Sequence, residues 1–130
     1  MDPVSDLIVR IRNANLKAKD RVDIPLSKLK AEIVRILKEE GFIANYKTLF
    51  NDDRIGTLRV FLKYSPSKEA VIRGIKRVSK PGLRIYRGYS DIPRSRAGFA
   101  VTILSTPQGV LTDKQAKDKK VGGEILCQVW

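Results

Sequence analysis

The chain has 130 residues, 42% of them apolar, and carries 26 Lys and Arg against 14 Asp and Glu, a net charge of +12 at neutral pH. That length suits one or two small domains able to bury about two-thirds of their unfolded surface, and the charge draws the chain to polyanions, of which nucleic acid is the commonest in a cell. With no histidine and 1 cysteine, the sequence excludes a Ser-His-Asp or Cys-His catalytic arrangement, a histidine-ligated zinc site and an internal disulfide.

The lone Cys127 lies in an apolar segment, where a small buried hydrophobe is a better reading than a reactive nucleophile. A single unpaired thiol fits a reducing compartment. No apolar run approaches the ~20 residues that span a bilayer, and Met1-Asp2-Pro3 lacks the basic-then-apolar pattern of a signal peptide. The expectation is a soluble, cytoplasmic protein. Phosphate-binding glycine motifs of the Gly-x-x-x-x-Gly-Lys and Gly-x-Gly-x-x-Gly types are absent. The carboxylate pairs Glu39-Glu40 and Asp52-Asp53 are sequence neighbours, which face apart on a helix or form a solvated turn. No cofactor, metal or catalytic residue is expected.

In chain order, Asp2-Pro3 reads as an N-cap followed by a first-turn proline. Val4, Leu7, Ile8 and Ile11 then fall at i, i+3, i+4 and i+7, one apolar stripe of a helix. Arg10 and Arg12 flank the stripe, Asn13 and Asn15 sit near its end, and Lys17, Lys19 and Arg21 continue as a basic connector. Val22-Asp-Ile-Pro25 is a short extended piece. Ser27 caps a second helix with Leu29, Ile33, Ile36 and Leu37 inward, and Gly41 ends it in the position that favours a left-handed residue. Lys28 and Lys30 stand in its first turn, where the helix dipole disfavours cations by a few tenths of a kcal/mol. An external anion beside Lys28 and Lys30 and chance surface charge explain that placement equally well. Phe42 to Phe50 and Thr57 to Tyr64 read as strands joined by the turn Asn51-Asp-Asp-Arg-Ile-Gly56, with Leu58, Val60, Leu62 and Tyr64 alternating inward. Two helices on this sheet make a first domain, residues 1–65, ending at Ser65-Pro-Ser67.

From Lys68 to Arg96 there are nine basic residues and two acids, so this stretch supplies seven of the net +12. Ile72, Val78, Ile85, Tyr86 and Tyr89 are interleaved with the charges. A strand pair broken at Lys80-Pro-Gly82 would spread the cations, including Arg77 and Lys80, over one surface suited to phosphates. An exposed ring beside cations stacks on an unpaired base. For Tyr86 that reading and a tyrosine at the core edge with a wet hydroxyl stand even. Asp91-Ile-Pro93 starts a short helical turn leading to Gly98. Gly98 to Ser105 and Val121 to Trp130 read as apolar strands around the polar turn Thr106-Pro-Gln-Gly109, and Thr112 with Gln115 forms a capping box that opens a helix over Asp113–Lys119. The fold expected is α+β in two small domains: an N-terminal α-β-α-β-β unit, and a mostly antiparallel β unit with a short helix over residues 66–130, which is the RNA-binding domain.

Several segments in order carry a resemblance that spans essentially the whole chain: Ile11-Arg-Asn-Ala14, Ile36-Leu-Lys-Glu-Glu-Gly-Phe-Ile43, Ser79-Lys-Pro-Gly-Leu-Arg-Ile-Tyr86, Ser105-Thr-x-x-Gly109-Val-x-Thr-Asp113 and Val121-Gly-Gly-Glu124. Together they resemble the family of the eighth protein of the small ribosomal subunit, in its bacterial form. The resemblance implies a structural constituent of that subunit, which binds the central domain of small-subunit rRNA early in assembly and touches neighbouring ribosomal proteins. It also implies that repression of the chain's own messenger through a mimic of the rRNA site is open to it. It places RNA contacts at Arg12, Asn13, Tyr86, Ser105, Thr106, Gln108, Gly109 and Glu124. Without the family, an ordinary turn is the favoured reading of Ser105 to Gly109. For Glu124 the alternatives are an acceptor for RNA and a carboxylate that orients a nearby Lys or Arg, the second being the safer.

The expected mechanism divides labour: cations hold phosphates, while short hydroxyls and amides select through 2′-OH groups and base edges. About six neutralised phosphates would weaken binding by ~10³ between about 50 and 200 mM salt. Pro107 stands where the family usually has serine, and it brings neither N–H nor hydroxyl, so no binding role passes to it. The rival readings are an RNA-processing enzyme that uses Asp, Glu or Lys, and a general basic adaptor for anionic membranes or acidic proteins.

Overall fold

The computed structural model of the chain describes residues 2–92 and 100–130. Its elements are α1 (Pro3–Leu16), β1 (Arg21–Pro25), α2 (Lys28–Glu39), β2 (Ile43–Phe50), β3 (Gly56–Leu62), β4 (Ile75–Arg77), β5 (Tyr86–Arg87), a 3-10 turn (Tyr89–Asp91), β6 (Val101–Thr106), β7 (Gly109–Thr112), α3 (Asp113–Asp118) and β8 (Gly123–Val129). The order is the α+β one expected, with α-β-α-β-β first. Gly98 and Phe99 of the expected strand, and Pro93 of the expected helical turn, lie outside the described residues, as do Arg94 and Arg96 of the basic stretch.

The chain divides into two compact units, Pro3–Arg73, and Gly74–Trp130 with Asp2. The division falls later than Ser65-Pro-Ser67 because the segment after β3 folds back on it. Tyr64 bridges Ala70, and the Val71 amide donates to the Lys63 carbonyl at 3.0 Å. A proline-containing turn here reverses the chain without releasing it.

In the first unit β3 lies between β1 and β2 and is antiparallel to both, so β1 and β2 run parallel and need the α2 crossover to join them. The apolar stripe of α1 is buried at Val4, Leu7, Ile8, Ile11 and Ala14. The Ser27 hydroxyl caps α2 by accepting from the Lys30 amide at 3.2 Å, and Gly41 leaves the helix with φ +81°. Leu7, Ile11, Ile24, Ile33, Ile36, Leu37, Leu58 and Val60 are sealed from solvent, each contributing about 1.5–3 kcal/mol by leaving water. On β3 the alternation is as expected, with Leu58, Val60 and Leu62 buried.

The second unit is a sheet of order β4-β8-β6-β7, with β5 also on β8. Leu104, Leu111, Ala116, Ile125 and Ile92 form its core under α3, joined by Val78, Ile85 and Val121. The capping box of α3 is complete: the Thr112 hydroxyl accepts from the Gln115 backbone amide at 3.2 Å and the Gln115 side-chain Oε1 accepts from the Thr112 backbone amide at 3.1 Å. The expected strand pair broken at Lys80-Pro-Gly82 takes a different form. β4 and β5 pair with the two ends of β8, not with each other, and residues 80–84 leave the edge as a loop closed by the Lys80–Leu83 bridge. Ser79, 1% exposed, fastens its base, its hydroxyl accepting from the Ile85 amide at 2.9 Å and donating to the Ile85 carbonyl.

Candidate nucleic-acid interface

The turn after β6 is shaped from within. Thr106 pairs with Gly109, leaving Pro107 and Gln108 at the apex. The Thr106 hydroxyl donates to the Gly109 carbonyl at 2.8 Å and accepts from the Gln108 amide at 3.1 Å. Gly109 sits at φ +105° with open space around it, so backbone conformation rather than crowding selects glycine there. Ser105 and Thr106 are half-buried, and Gln108 and Gly109 are exposed. The turn is therefore a stiff ledge whose polar groups reach solvent.

Register brings three separate sequence positions onto that ledge. Ser105 of β6 lies opposite Glu124 of β8, and Glu124 lies opposite Tyr86 of β5. Directly paired residues share a face of a sheet, so Ser105, Glu124 and Tyr86 form one row across three strands. The neighbouring positions Leu104, Ile125 and Ile85 belong to the core, which puts the row on the other face. Backbones close up here to let it form. A Cβ on Gly123 would strike the Ser105 carbonyl and one on Gly122 the Arg87 carbonyl, so Gly122-Gly123 is demanded by strand approach.

The row carries aromatic and charged groups. Tyr86 is 63% exposed, with Leu83 and Tyr89 exposed nearby in sequence, so its ring is not at the core edge. Glu124 holds the Arg84 guanidinium, Nη1 to Oε2 at 3.0 Å, and its own side chain is 17% exposed against 46% for Arg84. Of the two readings of this acid, the structure supplies the arginine that it orients. Lys80, Arg84 and Arg87 are exposed around the row. Arg84 lies inside the Ser79–Tyr86 segment, and its alternation with Tyr86 was the signal that could have singled it out.

Two expected contacts are placed differently. Lys30 is 6% exposed. Its ammonium donates to the Asp6 carboxylate at 2.7 Å and to the Pro25 carbonyl at 3.1 Å. The anion that offsets a cation in the first turn of α2 is thus internal, and the hydrogen bond from Lys30 holds the Asp6 carboxyl below the usual aspartate range. Arg77 is nearly buried too, its guanidinium paired with the Asp2 carboxylate and donating to the Ser79 carbonyl. Both cations are engaged by acids and carbonyls within the fold. Cys127 is buried as expected, desolvation pushing its thiol up to about 12.

The chain matches the ribosomal protein S8 family over residues 2–130. It is 54% identical over 129 residues to the small ribosomal subunit protein uS8 of Acidobacterium capsulatum, covering 99% of this chain and 97% of that one. Against the proteins of the same name from Geobacillus kaustophilus and Shouchella clausii it is 50% identical over the same shares. The chain belongs to the ribosomal protein S8 family. This is a ribosomal-protein family and not an enzyme family.

In this S8 chain the first unit carries its own basic surface. An open cleft of about 380 Å³ runs between the end of α1 and β1, lined by Arg10, Asn13, Lys17, Lys19, Arg21 and Asp23 among others. Asp23 is engaged by Arg59 at 2.8 Å and Arg10 by Asp6 at 2.9 Å, so Lys17, Lys19 and Arg21 set the sign. Asn13 lines this cleft, and Arg12 is exposed beside it in sequence. Among the described residues no cluster of His, Cys, Asp or Glu could hold a metal ion, and no helix is long and apolar enough to cross a membrane.

Proposed function

We propose that this chain is a structural constituent of the small ribosomal subunit in the bacterial cytoplasm, binding directly to the central domain of small-subunit rRNA and supporting its assembly beside neighbouring ribosomal proteins. The observation that carries the reading is the row Ser105–Glu124–Tyr86 next to the stiff Thr106–Gly109 turn. Ser105 and Gln108 present donors and acceptors to 2′-OH groups and base edges in a shallow minor groove, Thr106 keeps a free acceptor lone pair while its O–H shapes the turn, and Gly109 lets the RNA approach the backbone. Tyr86 offers its exposed face to an unpaired base. Lys80, Arg84 and Arg87 hold phosphates, with Glu124 acting as the positioning residue for Arg84. Arg12, Asn13 and the basic cleft give the first unit a phosphate contact of its own. The same recognition surface would accept a messenger segment that mimics the rRNA site, which gives a route to translational repression.

Footprinting on isolated small-subunit rRNA tests the reading. Protection confined to the central domain, lost on replacing Ser105 and Gln108 by alanine, is the expected result. Protection scattered over the rRNA without regard to structure would favour the basic-adaptor reading, and turnover of RNA over multiple cycles would favour the enzyme one.

A further inference from the structure

Phe50 and Ile55, at the β2–β3 hairpin, are 65% and 63% exposed. They flank the turn Asn51-Asp-Asp-Arg54 and lie outside every site described above. The turn is built to stay put: the Asn51 side-chain carbonyl accepts from the Asp53 and Ile55 amides, both at 2.9 Å, and Arg54 takes φ +60°. Leu26 and the Phe50 ring both close on the space beside Gly56, where a Cβ would meet them. Single exposed apolar residues are ordinary. Two of them at one apex, on either side of a turn fixed by its own hydrogen bonds, present apolar surface that gains by being covered.

Charge decides what covers it. The chain is +12 overall, yet Asp52, Asp53 and Arg54 give this turn a net charge of −1, and neither aspartate is in a salt bridge among the described residues. Two uncompensated carboxylates beside the patch repel phosphate, whereas they complement a basic protein surface. We infer that the β2–β3 apex is a protein-docking site that takes a Lys- or Arg-rich segment with apolar residues, supplied by another protein of the small subunit. The inference rests on the function proposed above.

Photocross-linking in the intact subunit tests it. The full chain with Phe50→p-benzoylphenylalanine is supplied as the sole copy in a bacterial host, and small subunits are purified, irradiated and analysed by mass spectrometry. The expected adduct joins position 50 to a basic segment of another ribosomal protein, and adding Asp52→Lys and Asp53→Lys lowers its yield about tenfold or more. An adduct to RNA, an adduct to a second copy of this chain, or no adduct in subunits that contain the protein overturns the docking site alone. Absence of the chain from small subunits overturns the proposed function and the docking site with it.

Discussion

Replacing Lys80, Arg84 and Arg87 by alanine separates the phosphate contribution from the rest of the proposed RNA interface. All three side chains are exposed around the Ser105–Glu124–Tyr86 row, and their removal leaves the core of the unit untouched. Each phosphate contact contributes about 0.9 to the slope of log affinity against log salt. Loss of three contacts therefore flattens the slope by about 2.7, and over a fourfold rise in salt the variant loses about fortyfold less affinity than the parent. The assay is a salt titration of binding to a transcript of the central domain, between about 50 and 200 mM. Arg77→Ala is the internal contrast. Its guanidinium is held by Asp2 and the Ser79 carbonyl, so its loss removes about 3 kcal/mol of stability and leaves the slope unchanged. A triple variant whose slope stays within about 0.5 of the parent would refute the phosphate assignment. An Arg77→Ala protein of unchanged stability and flattened slope would refute the structural one.

Thr106→Val removes the hydroxyl that both donates and accepts within the turn. It should cost about 1 kcal/mol of stability and reduce discrimination between cognate and unrelated RNA while leaving the salt slope alone, which competition binding reads. Gly123→Ala drives a methyl into the Ser105 carbonyl; urea unfolding should show a loss of about 3 kcal/mol, with RNA binding falling alongside. Lys30→Met strips Asp6 of its principal partner while Arg10 remains at 2.9 Å, so the loss should be about 2–3 kcal/mol, below that of a fully sealed pair. The Asp6 and Asp23 carboxyls are both lowered, first by hydrogen bonds from Lys30 and Arg59 respectively. Their contribution is complete above about pH 4 and is lost as pH falls through the lowered values. Lys30→Met should flatten that acid limb in thermal melts recorded from neutral to low pH, and an acid limb identical to the parent would show that the pair does not couple to folding.

Local chemistry was legible wherever a few neighbouring residues settle the outcome. The stripe of α1, the Ser27 cap, the left-handed Gly41 and the Thr112–Gln115 box all depend on contacts within one or two helical turns. The turn at Ser105 to Gly109 was legible in the same way, since Thr106 and Gly109 close it on themselves. Strand partnership was not. Whether the segments on either side of Lys80-Pro-Gly82 pair with each other or with a strand some 40 residues later depends on which apolar face is available to cover. β8 won because Ile125 and Leu104 complete a core that Val78 and Ile85 enter from its edge.

Charge was legible in total and misleading in particular. A lysine in the first turn of a helix reads from sequence as a cation with an unmet need, and an external phosphate is a natural candidate. Asp6, 24 positions away, meets that need instead, because α1 lies against α2 at that end. The carboxylate that neutralises Lys30 sits on an inward-facing turn of α1, while Lys17, Lys19 and Arg21 line an open cleft. A buried cation must carry its anion with it into the interior, since an unpaired charge there costs several kcal/mol. An exposed cation near like charges pays no such penalty and keeps its field for a partner. The cations proposed to bear on RNA are therefore those that packing left exposed or that an acid holds at the surface, as Glu124 holds Arg84.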